Sequence, residues 1–273
     1  EPFALQQYQP LAVDSVHLIA EAERLAYADR ARYAADSDFV DVPVAGLLDR
    51  HYLAARSQLI RTMQSLGIAQ PGEPHHTLAT QFGDDRALEL PSTSHISIVD
   101  SQGHALAMTT SIEAAFGSRI MVNGYLLNNQ LTDFSFVPTA QGKLVANCIA
   151  AHKRPRSAMA PTLVFNQQGQ FTMAVGSPGG SAIINYVAQT LIAILDWHLD
   201  PQQAVSLPHY GSRNGPTELE HGRHLEGLVP QLEARGHTVA LMEMPSGLSA
   251  ILKTEDGYAG GADPRREGTV KGY

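Results

Sequence analysis

The chain of 273 residues has a formal charge of −8, with 44% hydrophobic and 17% charged residues. That balance suits a globular protein with a sizeable core, one large domain or one domain plus an appendage, and argues against disorder and fibrous folds. The excess of negative charge, relieved only by the basic cluster Lys153, Arg154 and Arg156, argues against a nucleic-acid partner, and no apolar run reaches the roughly 18 residues of a membrane span.

The first residues, EPFALQQY, show neither the basic start nor the apolar centre of a targeting signal, so any such segment is expected upstream. From Ser15 to about Ala35, Val16, Ile19, Ala20, Leu25 and Ala26 recur at helical spacing, with Asp14 or Ser15 placed to cap the first turn. A second helix is expected from Asp49 to Leu66, with Leu53, Leu59, Ile60, Met63 and Leu66 on one side and Gly67 ending it. Between Gly67 and Ser92 the pattern collapses under Pro71, Gly72, Pro74, Gly83 and Pro91, which predicts an exposed linker where a chain can be cut. The neighbours His75 and His76 read there as part of a polar loop and not as a metal site.

After the linker the period changes to two. Residues 95–100 and 104–112 flank a Ser101, Gln102, Gly103 turn as a hairpin, and 162–166 with 171–177 bracket Gly169. A third pair is expected between 237–244 and 249–254. One longer helix should run from Ser181 to about Leu199, and Asp200 followed by Pro201 opens a shorter one. Helices, then antiparallel strands, then helices and strands again predict an α+β fold of layered sheets covered by helices.

The single cysteine, Cys148, leaves no internal disulfide, so cysteine usage does not separate cytosol from periplasm. Nor do the histidines show a familiar metal-binding spacing. The junction LPSTSHISIVD carries more chemistry. A threonine hydroxyl is a weak nucleophile, but at a chain terminus the α-amine of the same residue can take its proton. That amine titrates near pH 8, so part of it is free base around neutrality. Within an intact peptide the same nitrogen is an amide, so cleavage between Ser92 and Thr93 would be the activating event.

Five blocks follow in one order: T-S-H-x-S-x-V-D from Thr93, G-Y-L-L-N-N-Q-L-T-D-F-S (124–135), K-R-P-R-S-A-M-A-P-T (153–162), G-S-P-G-G-S (176–181) and A-D-P-R-R-E-G (262–268). Together they resemble the γ-glutamyltranspeptidases from about Asp14 to the C-terminus. The resemblance implies the four-layer αββα sandwich of the N-terminal nucleophile hydrolases. It also implies a precursor that cuts itself, residues 1–92 being the C-terminal part of a large subunit and 93–273 a small subunit beginning at the nucleophile. The partners it implies are a small-molecule γ-glutamyl donor, an amine or water acceptor, and the remainder of the large subunit in a heterodimer. It implies no cofactor or metal, and a periplasmic or secreted location.

Position by position, Thr93 matches the nucleophile, Ser111 the hydroxyl that holds it, and Gly179 with Gly180 the oxyanion hole. Gln130 and Asp133 match ligands of the donor's ammonium, and Ser157 one of two serines that hold its α-carboxylate. Glu113 stands where many members have asparagine, and should still suit an ammonium. Ala158 replaces the second serine, Ala182 a common arginine and Thr132 a common aspartate, so substrate preference stays open. The family's carboxylate-binding arginine matches no residue here, and Arg154 and Arg156 are expected to be structural. Two other readings remain: a relative tuned to another amide, such as a cephalosporin (glutaryl) acylase, and an uncleaved, catalytically silent homologue.

Overall fold

The computed structural model describes residues 2–75, 82–87 and 92–272. The expected linker includes 76–81 and 88–91, with His76 and Pro91, which lie outside the described residues. The chain opens with α1 (Val13–Tyr33) and two short helices, α2 (Val44–Leu47) and α3 (Arg50–Ser57). Beyond the linker lie β1 (Thr93–Val99) and β2 (Ala105–Ser111), then the small pairs β3 (Met121–Val122) with β4 (Tyr125–Leu126) and β5 (Thr139–Ala140) with β6 (Lys143–Leu144). Next come β7 (Thr162–Phe165), β8 (Phe171–Gly176), α4 (Ile183–Leu195), α5 (Pro201–Ser206), β9 (Tyr210–Gly211) and β10 (Thr217–Glu220). The chain closes with α6 (Val229–Glu233), β11 (Val239–Met242), β12 (Ser249–Thr254) and β13 (Gly257–Ala262).

A four-stranded antiparallel sheet, ordered β13-β12-β8-β7, forms the centre. On one face α4 and α5 bury Ile183, Tyr186, Val187 and Val205 against Met173, Val175 and Ala250, side chains worth roughly 1.5–3 kcal/mol each when large and fully removed from water. Asp200 caps α5 with a reciprocal Gln203 contact, and Pro201 follows it, as the sequence indicates. On the other face lies the β1–β2 hairpin. Its alternation is inverted: His95, Ser97 and Thr109 turn inward, while Ile96, Ile98, Leu106 and Met108 are exposed. The inward polar groups satisfy one another, His95 Nδ1 lying 2.7 Å from Thr109 Oγ1, and Ser97 Oγ 3.1 Å from Ser249 Oγ of β12. Gly176 of β8 has no side chain because the His95 ring fills the place a Cβ would take. Burial pulls the His95 pKa down to about 4.

Three expectations are corrected. The first helix begins at Val13 with Ala12 as its cap residue; Ser15 instead sends its hydroxyl back to the Gln9 and Ala12 carbonyls. The second helix stops at Ser57, and Leu53, Leu59 and Met63 are exposed. The backbone of 61–66 is drawn away from helical bonding by tertiary partners: the Arg61 carbonyl faces His17, Ser65 N–H donates to Arg235 O, and Leu66 N–H to Glu21 Oε2. The strand pair 237–254 does not form. β11 runs parallel to β10 in the three-stranded sheet β11-β10-β9, while β12 inserts between β8 and β13.

Residues on either side of Thr93 meet in a buried histidine pair. His17 Nε2 faces the Arg61 carbonyl at 2.7 Å, so it carries the proton, and Nδ1 accepts from His237 Nε2–H at 2.6 Å. His237 Nδ1 in turn accepts from Thr217 Oγ1 at 2.6 Å, and Thr217 accepts from Arg24. Two neutral rings satisfy every contact. Glu21 lies close enough for the three side chains to suit a metal ion by distance. Its oxygens accept from Arg24, Ser65 and Leu66, and the two rings bond directly to each other, which describes a hydrogen-bonded cluster.

Burial depresses both histidine pKa values, that of His237 to about 4. The unfolded chain therefore binds more protons than the native one below pH 6.5, and stability present above 6.5 is lost as pH falls toward 4. Thermal melting between pH 7 and 4 should show a falling midpoint, with His237 contributing on the order of 3 kcal/mol over that window. His17→Gln together with His237→Gln should flatten that part of the profile; an unchanged slope would refute this origin.

Candidate active site

The site begins at the register of the β1–β2 hairpin. Thr93, the first residue of β1, pairs across the strands with Ser111, the last of β2. Thr93 Oγ1 donates to Ser111 Oγ at 3.2 Å, and Ser111 Oγ donates to the Ser92 carbonyl at 2.8 Å. It also accepts the Glu113 backbone N–H at 2.9 Å. One hydroxyl thus joins Thr93 to the carbonyl of the Ser92–Thr93 peptide bond. Arg266, from the A-D-P-R-R-E-G block, donates to the Thr93 carbonyl at 3.2 Å and to the Pro245 carbonyl at 3.0 Å, which pins the strand start to the loop before β12.

A small recess opens beside this pair, and Thr93, Ser111, Glu113, Gln130, Asp133, Ser157 and Gly180 line it with Ala158, Met159 and Ile183. Glu113 and Asp133 are buried, at 5% and 4% exposure, so two carboxyl groups face a site partly closed to water. Glu113 adopts the left-handed conformation, φ 73°, in the turn leaving β2. A 3-10 turn, Gln130–Asp133, presents the other two polar side chains, and Gln130 Nε2 donates to Asp133 Oδ2 at 3.0 Å. Ser157 stands exposed at the mouth, its Oγ accepting from Met159 N–H at 3.1 Å. Gly179 does not line the recess. It is buried one residue away, at φ 143°, with the Tyr186 ring against it.

Three loops are held in place by Asn147, a residue the sequence blocks did not bring forward. Its Nδ2 donates to Asp85 Oδ2 and to the Asp133 carbonyl, both at 2.8 Å, while Oδ1 accepts the Arg156 N–H at 2.9 Å. Arg156 pairs with buried Asp85 at 3.2 Å, and Arg154 with Asp36 at 2.7 Å. The Arg154 hydrogen bonds hold the Asp36 carboxyl far below its ordinary pKa. Both arginines are thus engaged with carboxylates that frame the loop before Ser157. Ser181, after the glycine pair, is clamped by Arg213 Nη1 on its hydroxyl at 2.7 Å and by the Tyr27 hydroxyl on its carbonyl.

This arrangement offers one hydroxyl beside a second, buried carboxyl groups, and a glycine turn at φ 143° and 60° whose backbone meets the recess at Gly180. Comparisons with known proteins agree with it. The family model described as gamma-glutamyltranspeptidase matches residues 1–273. The glutathione hydrolase proenzyme of Escherichia coli (strain K12) is 35% identical over 277 residues, covering 97% of this chain and 46% of that protein. The acylase ACY 1 proenzyme of Pseudomonas sp. (strain SE83) is 32% identical over 262 residues, covering 94% of this chain and 43% of that protein. The chain therefore spans about half the length of the curated relatives it matches. Among solved structures, the T380A mutant of Helicobacter pylori gamma-glutamyltranspeptidase has a TM-score of 0.57 at 32% identity, covering 63% of this chain and 100% of that one. The helix-covered sheets are those of an α+β N-terminal nucleophile hydrolase. No helix among the described residues is long and apolar enough to cross a membrane. With its whole length matched by one family model and a relative above 30% identity over nearly all of it, the chain belongs to the gamma-glutamyltranspeptidase family.

Proposed function

We propose that the protein is a γ-glutamyl hydrolase and transferase that first cuts its own chain between Ser92 and Thr93. The observation that carries this reading is the hydrogen-bonded run from Thr93 Oγ1 through Ser111 to the Ser92 carbonyl, beside a recess with two buried carboxyl groups. Thr93 Oγ1 attacks the Ser92 carbonyl carbon while Ser111 accepts its proton and donates its own toward the carbonyl oxygen. Collapse breaks the C–N bond, the Thr93 nitrogen leaves with a proton, and an ester joins Ser92 to Thr93. Water hydrolyses the ester, releasing the Ser92 carboxylate and the Thr93 hydroxyl, and Thr93 then carries that hydroxyl beside its free α-amine.

In the cut protein the same hydroxyl, with the α-amine as base, attacks the γ-amide carbonyl of a glutathione-like donor. The turn of Gly179 and Gly180, which meets the recess at Gly180, supplies backbone N–H groups for the developing oxyanion, where one such donor is worth about 3 kcal/mol. The leaving amine takes the proton, and water or an amine resolves the γ-glutamyl ester on Thr93. Asp133, Gln130 and Glu113 hold the donor's ammonium, and Ser157 its α-carboxylate. On this reading residues 1–92 end a large subunit and 93–273 form the small one. The solved relative whose whole chain matches 63% of this one supports that division. The remainder of the large subunit is the partner, and periplasmic or secreted residence follows by resemblance.

The test joins an intact mass of the purified full-length protein to hydrolysis of a γ-glutamyl anilide. A fragment starting at Thr93 and turnover are expected; a permanently continuous chain without turnover would support a silent homologue instead. The similarity to an acylase proenzyme, with Ala158 and Glu113 in the recess, favours a second reading as an acylase of another amide. Asp133→Asn separates the two. It should raise KM for a γ-glutamyl anilide about 10- to 100-fold, the value of a charge-assisted hydrogen bond, and leave glutaryl anilide turnover unchanged, because that acyl group has no ammonium. A wild-type preference for the glutaryl compound would replace the first reading.

A further inference from the structure

Behind the glycine turn lies a buried polar chain that the mechanism does not use. His209, 1% exposed, stacks on Tyr186 of α4 with ring centroids 4.2 Å apart and planes 31° from parallel. Tyr186 in turn fills the space beside Gly179, its Cε2 only 2.5 Å from where a Cβ would stand. At the other edge of the imidazole, Nε2 lies 2.6 Å from Ser246 Oγ and Nδ1 3.1 Å from Gln189 Oε1.

The protons of this chain can be counted. Asp263 accepts from Leu248 N–H, from Arg265 N–H and from the Arg265 guanidinium, which marks it as an ionised carboxylate. Ser246 also donates to Asp263, and a serine has one hydroxyl proton, so Ser246 Oγ can only accept from His209 Nε2–H. Gln189 is oriented by its Nε2, which donates to the Pro208 carbonyl at 2.8 Å, so its Oε1 faces His209 and requires an N–H at Nδ1. Both ring nitrogens are donors, which only the imidazolium provides. The buried pair His17 and His237 differs, because there two neutral rings satisfy every contact.

Four charged side chains surround the ring. Glu220 of β10 accepts the His209 backbone N–H at 2.7 Å and the Arg265 guanidinium at 2.6 and 2.5 Å. Glu220 and Asp263 supply two negative charges and Arg265 with Arg223 two positive ones, so the surrounding charges balance and the assignment rests on the hydrogen bonds. Arg223 lies at the rim, 4.0 Å from Glu220, and the Tyr186 phenol stays neutral because burial raises its pKa. Burial, Arg265 and Arg223 all oppose a charge on His209; the two hydrogen bonds, each of which needs a proton on the ring, oppose its loss.

We propose that His209 is held as an imidazolium and acts as a positioning residue, pressing the Tyr186 ring against Gly179 through a cation–π contact and so fixing the glycine turn. The positioning role rests on the proposed function; the protonation state does not. Nitrogen-15 NMR of the histidine-labelled full-length protein at pH 7 to 8 tests the latter directly. One ring should show two protonated nitrogens, and that signal should vanish in Ser246→Ala and in His209→Gln; a spectrum in which every buried ring is neutral overturns the proposal whether or not the protein is active. For the positioning role, both variants should lower kcat for a γ-glutamyl anilide about 10-fold with KM within twofold. An unchanged kcat, or a rise in KM of equal size, overturns it. If His209→Gln does not fold, Ser246→Ala, which keeps the imidazole, carries the kinetic test alone.

Discussion

Thr93→Ala is expected to leave the chain continuous through residues 92 and 93 and to lower γ-glutamyl anilide hydrolysis by on the order of 10⁴-fold or more, as removal of an enzyme nucleophile does. Both losses follow from one atom, because Oγ1 is the attacking group in the self-cleavage and in the turnover proposed. The substitution is mild for the fold. Thr93 is half-buried at the start of β1, and its side-chain bond to Ser111 is replaceable, since Ser111 keeps the Ser92 carbonyl and the Glu113 N–H. Melting should therefore change little. Thr93→Ser retains the hydroxyl and should still be cut, more slowly, because without the γ-methyl the serine rotamer is less restricted. Mass spectrometry, a melting curve and the anilide assay on the same preparations check all three. Residual activity within tenfold of wild type in folded Thr93→Ala would remove this threonine from the chemistry.

The reach of the sequence can be seen element by element. α1, the β1–β2 hairpin, the β7–β8 pair and the Asp200, Pro201 start of α5 were legible because each is specified locally, by period, turn or cap. The partners of β11 and β12 were not, since alternation says that a segment is a strand but not which edge receives it. β13, Gly257–Ala262, had no strand signal at all: its residues are GYAGGA, and β propensity reflects side chains that pack on a pleated surface. The glycines serve a different purpose there, as a Cβ on Gly261 would collide with the Pro201 carbonyl of α5. In the site, Thr93, Ser111, Glu113, Gln130, Asp133, Ser157 and Gly180 were named from the family resemblance and share one recess. Asn147 and Ser246 were not, and Arg266 and Asp263 stood in a quoted block without a role, because polar residues in irregular segments carry no period and meet only through tertiary structure.

Gly179→Ala should reduce kcat by up to about 10²–10³-fold, the upper bound being the full loss of one oxyanion donor, with a smaller change in KM. Two independent features make this position intolerant. Its φ of 143° lies where L side chains rarely go, at a cost of about 1–3 kcal/mol for a non-glycine residue. The added methyl would also stand 2.5 Å from Tyr186 Cε2, and Tyr186 has little room to yield because it is 2% exposed and stacked on His209. The strain therefore relaxes through the turn itself, which shifts Gly180 relative to Thr93 in the recess they share. Displacement of the N–H groups by a few tenths of an ångström weakens the transition state more than the bound donor, because full charge on the oxygen exists only there. Gly215→Ala is the control: a Cβ there meets nothing within 4 Å, so kcat should stay near wild type. Equal kinetics for the two variants would show that the Gly179 turn does not contribute to turnover.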